Sequence, residues 1–493
     1  MSKSISLGKE TILLTVSKMT TLMITMLTGM MLSRFRSFEE YGTYSQLTLV
    51  VSLFTSIFML GLPNSINYFL ARANSKSEQQ KFLGVYYNLS TILSFIMGIA
   101  LVFAAPLIAT YFKNPAVLSF VYFLLLYPWA NVTASSIENV LIVYHRTRFL
   151  TIYRIINSLC LLGSVLVVQW LGLGFREYMI ANLAIYCLFA FAVYAISYRV
   201  SGGFRLGFDK NLIRTVFVFS IPLGLSAVVG TLNIEIDKLL IGFLMDTEQM
   251  AIYTNASKEL PVTFVSASIT AVLLPQLTKM LKKDRNRDAL SLWANATELS
   301  YLIICLIVAG VFTYAEDVMC FLYSAKYLPG LLVFRIYTLV LLLRCTYFGI
   351  ILNAKGKTKE IFWAGIASLA LNVFLNPLMY WAIGMTGPAL ATFLSMLVVL
   401  LWQLYRTAKC TGVAISQVFP WKRLGCITLV NVVFAGCFFG VKQVLPLEWW
   451  ITSFGESLIL GGCWSILYLF VMRKSLKRAW KGLNRGGADD ADT

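Results

Sequence analysis

Charged side chains lie inside long apolar runs of this sequence, where a charge is costly to keep. These residues are Lys18, Glu138, Glu235, Asp237, Lys238, Lys258, Glu259, Arg335 and Arg344. An ionisable group at the centre of a bilayer costs about 2.5–3.5 kcal/mol on insertion scales, and it normally faces a bundle interior or a cavity. We therefore expect these side chains either to pair with one another or to bind a charged ligand.

The cations are the first candidates for ligand binding. Lys18 and Arg344 have no opposite charge within one helical turn, and each lies in the inner half of its apolar run. An unpaired cation in hydrocarbon indicates that an anion comes to it. The predicted anion-binding residues are Lys18, Lys238, Lys258 and Arg344. For Lys18 an alternative stays open, because a lysine near a span end can extend its ammonium group to the headgroup layer.

Acidic side chains in the runs have two candidate roles, ion coupling and structural pairing. They are Asp237, Glu259 and Glu138. Asp237 and Glu259 each have a lysine neighbour and lie at similar depth on consecutive runs, so ion pairs between these helices are geometrically reasonable. Glu138 lies near the inner end of its run, where we expect it to pair with the basic loop at Arg146.

Prolines and amides supply a second polar signal within the runs. The predicted helix breaks are at Pro63, Pro222, Pro261 and Pro275, and the predicted cavity amides are Asn64, Asn67 and Asn233. A broken helix frees backbone groups that a neighbouring side chain or a wet cavity must satisfy. This pattern favours transport modestly, because proline kinks also occur in static helix bundles.

The elements that position these residues are membrane-spanning helices. A span needs about 20 mostly apolar residues, and 58% of the 493 residues are hydrophobic. We predict an all-α polytopic membrane protein with fourteen spans, at about 12–34, 44–70, 84–110, 117–142, 153–172, 178–199, 215–244, 250–280, 291–314, 330–352, 361–383, 387–408, 424–442 and 453–472.

Lysine and arginine gather in every second gap between spans, which predicts the orientation of the chain. Short loops rich in these residues stay cytoplasmic. One set of gaps holds Arg72, Lys76, Lys81, Arg146, Arg148, Lys282, Lys283, Lys355, Lys357, Lys359, Lys409 and Lys422. With an even number of spans, both termini are then cytoplasmic. The net charge of +18 suits anionic lipid headgroups, and its scatter over short loops argues against nucleic acid.

The sequence contains no constellation typical of an enzyme. It has no phosphate-binding P-loop and no G-x-S-x-G motif, and its only histidine lies in a loop. The nine cysteines form no C-x-x-C pair, so neither a metal site nor a disulfide framework is expected. We predict a transporter without a resident cofactor.

An internal duplication divides the chain. The first hairpin and the seventh and eighth spans share an acidic outer turn, a tyrosine that opens the return helix, and a Leu-Pro-amide step at Pro63 and Pro275. Internal repeats are common in transporters, which place the substrate site at the repeat interface. The predicted domains are an amino-terminal lobe over 1–214, a carboxyl-terminal lobe over 215–408, and an appended helix pair with a basic tail over 409–493.

Residues 371–392, LNVFLNPLMYWAIGMTGPALAT, resemble the asparagine-proline, glycine and alanine-threonine signature of polysaccharide transporters in the MOP exporter superfamily. The segments 38–44, 61–63, 236–242 and 354–359 resemble that family as well, and Wzx-type O-unit flippases are the most similar group. The resemblance implies two six-helix lobes around a central cavity. It also implies that the protein moves undecaprenyl-diphosphate-linked oligosaccharide to the periplasmic leaflet for surface polysaccharide synthesis.

The same resemblance implies alternating access with antiport of H⁺ or Na⁺, a bacterial inner-membrane location, and membrane lipids as surroundings. A polysaccharide polymerase and glycosyltransferases are the implied partner enzymes. Basic residues lining the cavity are a theme of the family, and the amides at Asn64, Asn67 and Asn233 would bind sugar hydroxyls. The cations named above are assigned from their charge and depth.

Three alternative functions stay open. A multidrug antiporter of the same superfamily would need an acidic or aromatic cavity, whereas the first span carries Lys18 and no acidic residue. A lipid II flippase would suit fourteen spans with an added pair. A membrane scaffold that organises glycosyltransferases would tolerate removal of the charges in the spans.

Overall fold

The computed structural model describes residues 7–204, 207–444 and 452–488. Within these ranges every regular element is helical, and fourteen helical segments are long and apolar enough to cross a membrane. This confirms the predicted all-α class and the predicted number of spans. Long apolar runs favour this result, because a helix satisfies its backbone hydrogen bonds within one segment, as a segment that crosses lipid must.

The first compact unit comprises Met1–Ala251. Its helices are α1 Leu7–Phe35, α2 Phe38–Met59, α3 Leu62–Arg72, α4 Lys76–Tyr111, α5 Val121–Val143, α6 Thr147–Trp170, α7 Phe175–Ser201 and α8 Lys210–Leu244. Helix α5 packs between α4 and α7, α1 packs along α6, and α8 packs against α2 and α3. The seventh span therefore folds with this unit, while the predicted lobe boundaries at 214 and 408 stay a prediction.

The second compact unit comprises Ile252–Thr493. Its helices are α9 Thr247–Ala256, which begins in the first unit, α10 Phe264–Lys282, α11 Asn286–Thr313, α12 Ala315–Tyr323, α13 Leu331–Leu343, α14 Ile350–Ala354, α15 Thr358–Ile383, α16 Thr386–Thr411, α17 Ile415–Val418, α18 Trp421–Val444 and α19 Ser453–Ala488. Helix α11 is central, in contact with α10, α13, α18 and α19, and α15 packs along α16.

Several helices extend beyond their apolar runs at the end that carries basic residues. Helix α4 begins at Lys76, where a start near 84 was predicted, and α19 continues past the predicted end at 472. The Ser75 side chain caps α4 by accepting a hydrogen bond from the backbone N–H of Glu78 at 3.2 Å. Hydropathy predicts only the part of a helix that lies in hydrocarbon, so it does not predict the polar turns at these helix ends.

Two of the four predicted proline breaks coincide with interruptions of a span. Leu60 and Gly61 separate α2 from α3 in left-handed conformations, with φ of 40° and 74°, and Pro63 lies in the first turn of α3. A Cβ atom added at Gly224 of α8 would overlap the backbone of Leu60, so glycine is required there for α8 to pack against the break.

Pro222 and Pro275 do not break their helices, contrary to the prediction. Both lie inside continuous helices, α8 and α10. A proline in a helix removes one backbone donor, and neighbouring groups in a membrane bundle can compensate for that loss. Pro261 opens a short 3₁₀ turn after a non-helical stretch at 257–260.

The carboxyl-terminal helix pair is bound to α11 near the start of α18 and the end of α19. Glu298 of α11 is completely buried and pairs with Arg423 of α18 at 2.9 Å and with Arg478 of α19 at 3.1 Å. The hydroxyl of Tyr468 donates to the carbonyl of Leu302 at 3.0 Å. The pair is therefore an integral part of the second unit.

A second polar cluster holds the pair at the opposite end, near the end of α18 and the start of α19. Asp317 of α12 accepts hydrogen bonds from Lys442 and from Ser457, the latter at 2.6 Å. Burial raises the pKa of Asp317, but the hydrogen bonds from Lys442, Ser453 and Ser457 outweigh it and hold the pKa below its usual range. A carboxyl with a lowered folded-state pKa stabilises the fold above its unfolded pKa and loses that effect as pH falls through the folded value.

We predict that Glu298→Gln weakens the attachment of α18 and α19. The substitution removes the only negative charge shared by two arginines that stay partly exposed, with 41% and 55% of their side chains accessible. We expect a loss of about 1–3 kcal/mol, measured as a lower Tm of the purified protein by tryptophan fluorescence. Glu316→Gln is the control, because this exposed carboxylate has no ion-pair partner in the described part of the chain. An unchanged Tm for Glu298→Gln would contradict the role of Glu298 in attaching α18 and α19 to α11.

Candidate functional site

Lys18 is a cation without a partner. Its side chain is exposed on α1, in the span Leu13–Phe35, and no hydrogen bond or ion pair to it occurs among the described side chains. A lysine in this position faces either lipid or water, and lipid is the costly choice. The geometry therefore keeps both sequence interpretations, an extended side chain at the inner interface and an anion-binding ammonium group.

Arg344 lies in a second interrupted span. Helix α13 ends at Leu343 and α14 begins at Ile350, so Arg344 opens a non-helical stretch. Its guanidinium pairs with Glu259 at 2.7 Å, and the two side chains are 34% and 25% exposed. Arg344 is therefore not an unpaired cation, contrary to the expectation, because its partner lies far away in the sequence.

Glu259 lies in the other interrupted span of the second unit. Residues 257–260 are non-helical between α9 and the turn at Pro261, so the ion pair joins two breaks. Irregular backbone at membrane depth is tolerated only where it is buried in protein or lines a wet cavity. Broken helices are also the places where transporters bind substrates and ions. This pair of breaks is the strongest candidate site in the second unit.

Lys258 adjoins the same break. Its ammonium group donates to the side-chain oxygen of Asn255 at 3.0 Å and lies 5.9 Å from the ring centre of Tyr323. Both of these contacts are with neutral groups, and Lys258 directly precedes Glu259 in the interrupted stretch.

Lys238 of α8 has an acidic partner on its own helix. Its ammonium group pairs with Glu235 at 2.8 Å, and the two side chains are 17% and 20% exposed. The neighbouring Asp237 is buried, and one of its carboxylate oxygens accepts the backbone N–H of Lys238. The predicted ion pairs of Asp237 and Lys238 with Lys258 and Glu259 would connect the two compact units, and they stay a prediction.

Two other charges in the spans contact neighbouring side chains. Glu138 of α5 pairs with Arg154 of α6. The expected pair with the loop at Arg146 is therefore wrong, because the partner lies inside the next helix and not in the loop before it. Arg335 of α13 lies over the ring of Phe312 at 5.7 Å, a distance at which a cation is attracted to an aromatic face.

The predicted cavity amides divide into two groups. Asn67 of α3 donates to Asn139 at 3.0 Å, and Asn139 donates to the backbone carbonyl of Pro63 in the first turn of α3. Asn64 is exposed on the same helix, one turn away. Asn233 donates to the carbonyl of Val229 on its own helix at 2.9 Å. The break in the second span therefore presents polar side chains, as a sugar-binding surface would.

A buried polar cluster on α15 and α16 was missed at the sequence level. Asn372 and Asn376 are one turn apart on α15, while Thr392 and Ser395 lie on α16. All four are buried, and their side chains carry oxygen atoms without a protein hydrogen-bond partner. Three of the four residues belong to the signature that carried the family resemblance. Their burial is the new observation, and it marks a place for water or a cation.

Sequence comparison places the chain in a family. The model of the family described as "Polysaccharide biosynthesis protein" matches residues 31–331. The chain belongs to this family. That result confirms the resemblance drawn from the signature at 371–392, although the family match itself ends before that signature.

Two curated relatives have related names. The chain is 22% identical over 290 residues to the probable low-salt glycan biosynthesis flippase Agl15 of Haloferax volcanii, covering 57% of this chain and 60% of that protein. It is 23% identical over 233 residues to the capsular polysaccharide biosynthesis protein CapF of Staphylococcus aureus, covering 45% and 58%. The chain thus matches about three-fifths of the length of each.

Two solved structures share the fold. The lipid II flippase MurJ in an inward closed conformation has a TM-score of 0.76 and 17% identity, with 94% of this chain and 99% of that chain covered. An inward-facing multidrug resistance MATE family transporter of the MOP superfamily has a TM-score of 0.64 and 15% identity, with 79% and 95% covered. The chain therefore shares the fold of these two transporters, and the fourteen apolar helices among its described residues make it a multi-pass membrane protein.

We predict that Glu259 and Arg344 are energetically coupled. In a double-mutant cycle of Glu259→Gln and Arg344→Gln, each single change already removes the ion pair between the two residues, so the double variant should be less destabilised than the sum of the two single variants. We expect a coupling energy of about 1–3 kcal/mol, measured from thermal unfolding. The same cycle on the exposed pair Arg285 and Asp288 is the control and should give under about 0.5 kcal/mol. Additive effects at Glu259 and Arg344 would refute the pair.

Proposed function

We propose that the protein is a flippase for undecaprenyl-diphosphate-linked oligosaccharide repeat units, which it moves from the cytoplasmic to the periplasmic leaflet during surface polysaccharide synthesis. The observation that carries the proposal is an unpartnered lysine inside a membrane span of a chain that belongs to the polysaccharide biosynthesis family. The glycan-related names of the two curated relatives support the same substrate class. Transport then proceeds by alternating access.

The diphosphate headgroup explains why cations are kept in the spans. It carries about two negative charges and cannot enter hydrocarbon without compensation. Lys18 is open to such an anion, whereas Arg344 and Lys238 already hold carboxylates at 2.7 Å and 2.8 Å. In the empty protein these carboxylates keep the cations neutralised, and in the loaded protein the diphosphate takes their place as a partner.

Amide side chains in the spans suit the sugar part of the substrate. Asn64, Asn67 and Asn233 are amides, which both donate and accept hydrogen bonds and so match sugar hydroxyls. Asn64 and Asn67 belong to α3, directly after the break at Leu60 and Gly61. The polyprenyl tail needs no polar partner, because it stays in the acyl region of the bilayer.

We assign ion coupling, to H⁺ or Na⁺, to the buried polar groups. Asp237 is a buried carboxylate in the first unit, and the cluster at Asn372, Asn376, Thr392 and Ser395 presents carboxamide and hydroxyl oxygens in the second. Hard cations such as Na⁺ prefer oxygen ligands of this kind, and a carboxylate also carries a proton. The remaining assignments are a bacterial inner membrane with both termini cytoplasmic, and a polymerase and glycosyltransferases as partner enzymes.

We predict that Lys18→Gln slows flipping. Losing one charge-assisted hydrogen bond removes about 1.5–3 kcal/mol of stabilisation from the charged headgroup, which corresponds to a rate about tenfold lower or more. The measurement is the initial rate of transfer of a fluorescent polyprenyl-diphosphate oligosaccharide across proteoliposomes. Lys18→Arg keeps the charge and should retain most of the rate.

Lys210→Gln is the matched control for this experiment. It removes an equally exposed cation at the loop end of α8, and its rate should equal that of the unmodified protein. If Lys18→Gln flips as fast as this control, the anion-binding role of Lys18 fails and the interfacial role is supported. Faster transport of lipid II than of the oligosaccharide lipid would instead identify a lipid II flippase.

We also predict that membrane potential drives the transport. Each negative charge that moves outward across an inside-negative membrane gains about 2.3 kcal/mol per 100 mV, and the diphosphate carries about two. A potassium diffusion potential of this sign should raise the outward rate, and the opposite potential should lower it. A rate that responds only to a proton or sodium gradient would mean that coupled ions cancel the charge of the substrate.

A further inference from the structure

A small basic pocket lies outside the residues assigned above. It has a volume of about 180 Å³ and is formed in the second unit where α14, α15 and α16 meet. Its lining residues are Leu352, Lys357, Glu360, Arg406, Lys409 and Cys410. The start of α15 and the end of α16 belong to the basic set of gaps, so the predicted topology places the pocket at the cytoplasmic headgroup layer.

The charges of this pocket do not cancel. Glu360 is occupied by Arg406, with which it forms an ion pair. Lys357 and Lys409 are exposed, and neither has a charged or hydrogen-bonded partner among the described residues. One carboxylate thus faces three cations, which leaves the pocket with a net charge of about +2.

A further lysine stiffens the wall of the pocket. The ammonium group of Lys355 donates to the backbone carbonyl of Cys410 at 3.0 Å. This hydrogen bond connects the loop before α15 to the last turn of α16, whose carbonyl groups carry partial negative charge. It therefore keeps the end of α16 from repelling an anion in the pocket.

Exposed aromatic side chains lie beside the pocket on the membrane side. Trp363 follows Glu360 by one turn on α15, and Trp402 precedes Arg406 by one turn on α16, with 62% and 44% of their surfaces exposed. Tyr405 precedes Lys409 by one turn and is 57% exposed. Tryptophan and tyrosine concentrate at headgroup depth, and they offer a surface along which the glycerol and acyl part of a lipid can lie.

We propose that this pocket binds the phosphate group of an anionic glycerophospholipid of the cytoplasmic leaflet. Basic pockets between membrane helices on this side bind lipid headgroups of that charge. Lys357 and Lys409 supply the two unpaired ammonium groups for the phosphate oxygens, and the paired Arg406 completes the cationic wall. The aromatic flank favours a lipid over a soluble phosphate. The bound lipid is a resident ligand, separate from the transported substrate.

The test compares lipid binding by the full-length protein and a double variant, Lys357→Gln with Lys409→Gln. Native mass spectrometry or the Tm shift on titration with phosphatidylglycerol gives the apparent affinity. We expect it to fall about tenfold or more in the double variant and to stay unchanged in the control, Lys210→Gln with Lys422→Gln, which removes two exposed cytoplasmic lysines elsewhere. Lys357→Arg with Lys409→Arg should retain binding, which shows that the site folds.

Four outcomes would overturn the proposal. They are equal affinity in the glutamine variant, an equal loss in the control, saturation by inorganic phosphate at concentrations similar to those of the lipid, and stronger binding of a polyprenyl diphosphate than of phosphatidylglycerol. The last would reassign the pocket to the substrate. Phosphatidylcholine, which carries no net charge, should bind equally weakly to every variant. The flipping assay is not needed for this test, so its result is independent of the proposed function.

Discussion

The low dielectric of the bilayer is the constraint on which this structure depends. A charge or a free backbone group in hydrocarbon costs several kcal/mol unless a partner satisfies it. The second unit meets this requirement with ion pairs between helices that are distant in the sequence. Glu298 pairs with two arginines, and Arg344 pairs with Glu259. These pairs also hold the carboxyl-terminal helices and the broken spans in place, so one constraint accounts for both charge neutralisation and packing.

Broken helices extend the same constraint to the backbone. The break between α2 and α3 is held by the close approach of Gly224 and by Asn139, which donates to the carbonyl of Pro63 in the first turn of α3. The break between α13 and α14 is held by Arg344, together with Trp293, whose indole N–H donates to Thr346 at 2.9 Å. Each break exchanges regular backbone hydrogen bonds for side-chain contacts, and those contacts involve the polar residues that the proposed transport requires.

The sequence predicts the fold far better than the site. Hydropathy identifies fourteen spans because a helix in lipid must be apolar along about 20 residues, and the helix ends differ only where polar turns extend them. The ion-pair partners of the charged side chains could not be predicted in this way. Glu138 pairs with Arg154 on the next helix, and Arg344 pairs with Glu259 several helices earlier. Such contacts depend on how helices are rotated and packed. The break at Arg344 contains no proline and could not be located from turn chemistry.

Paired and unpaired cations have different physical consequences for a transporter. In the proposed mechanism, a cation without a partner, such as Lys18, raises the energy of the empty protein and gains an ion pair when the anion binds, so it would contribute directly to binding. A cation with a resident carboxylate, such as Arg344 with Glu259, costs less when the protein is empty, but an anion must displace that carboxylate to bind. Loss of the resident ion pair weakens binding and favours release of the anion. A mixture of the two kinds therefore allows a diphosphate both to bind and to leave, while the membrane potential supplies the direction of transport.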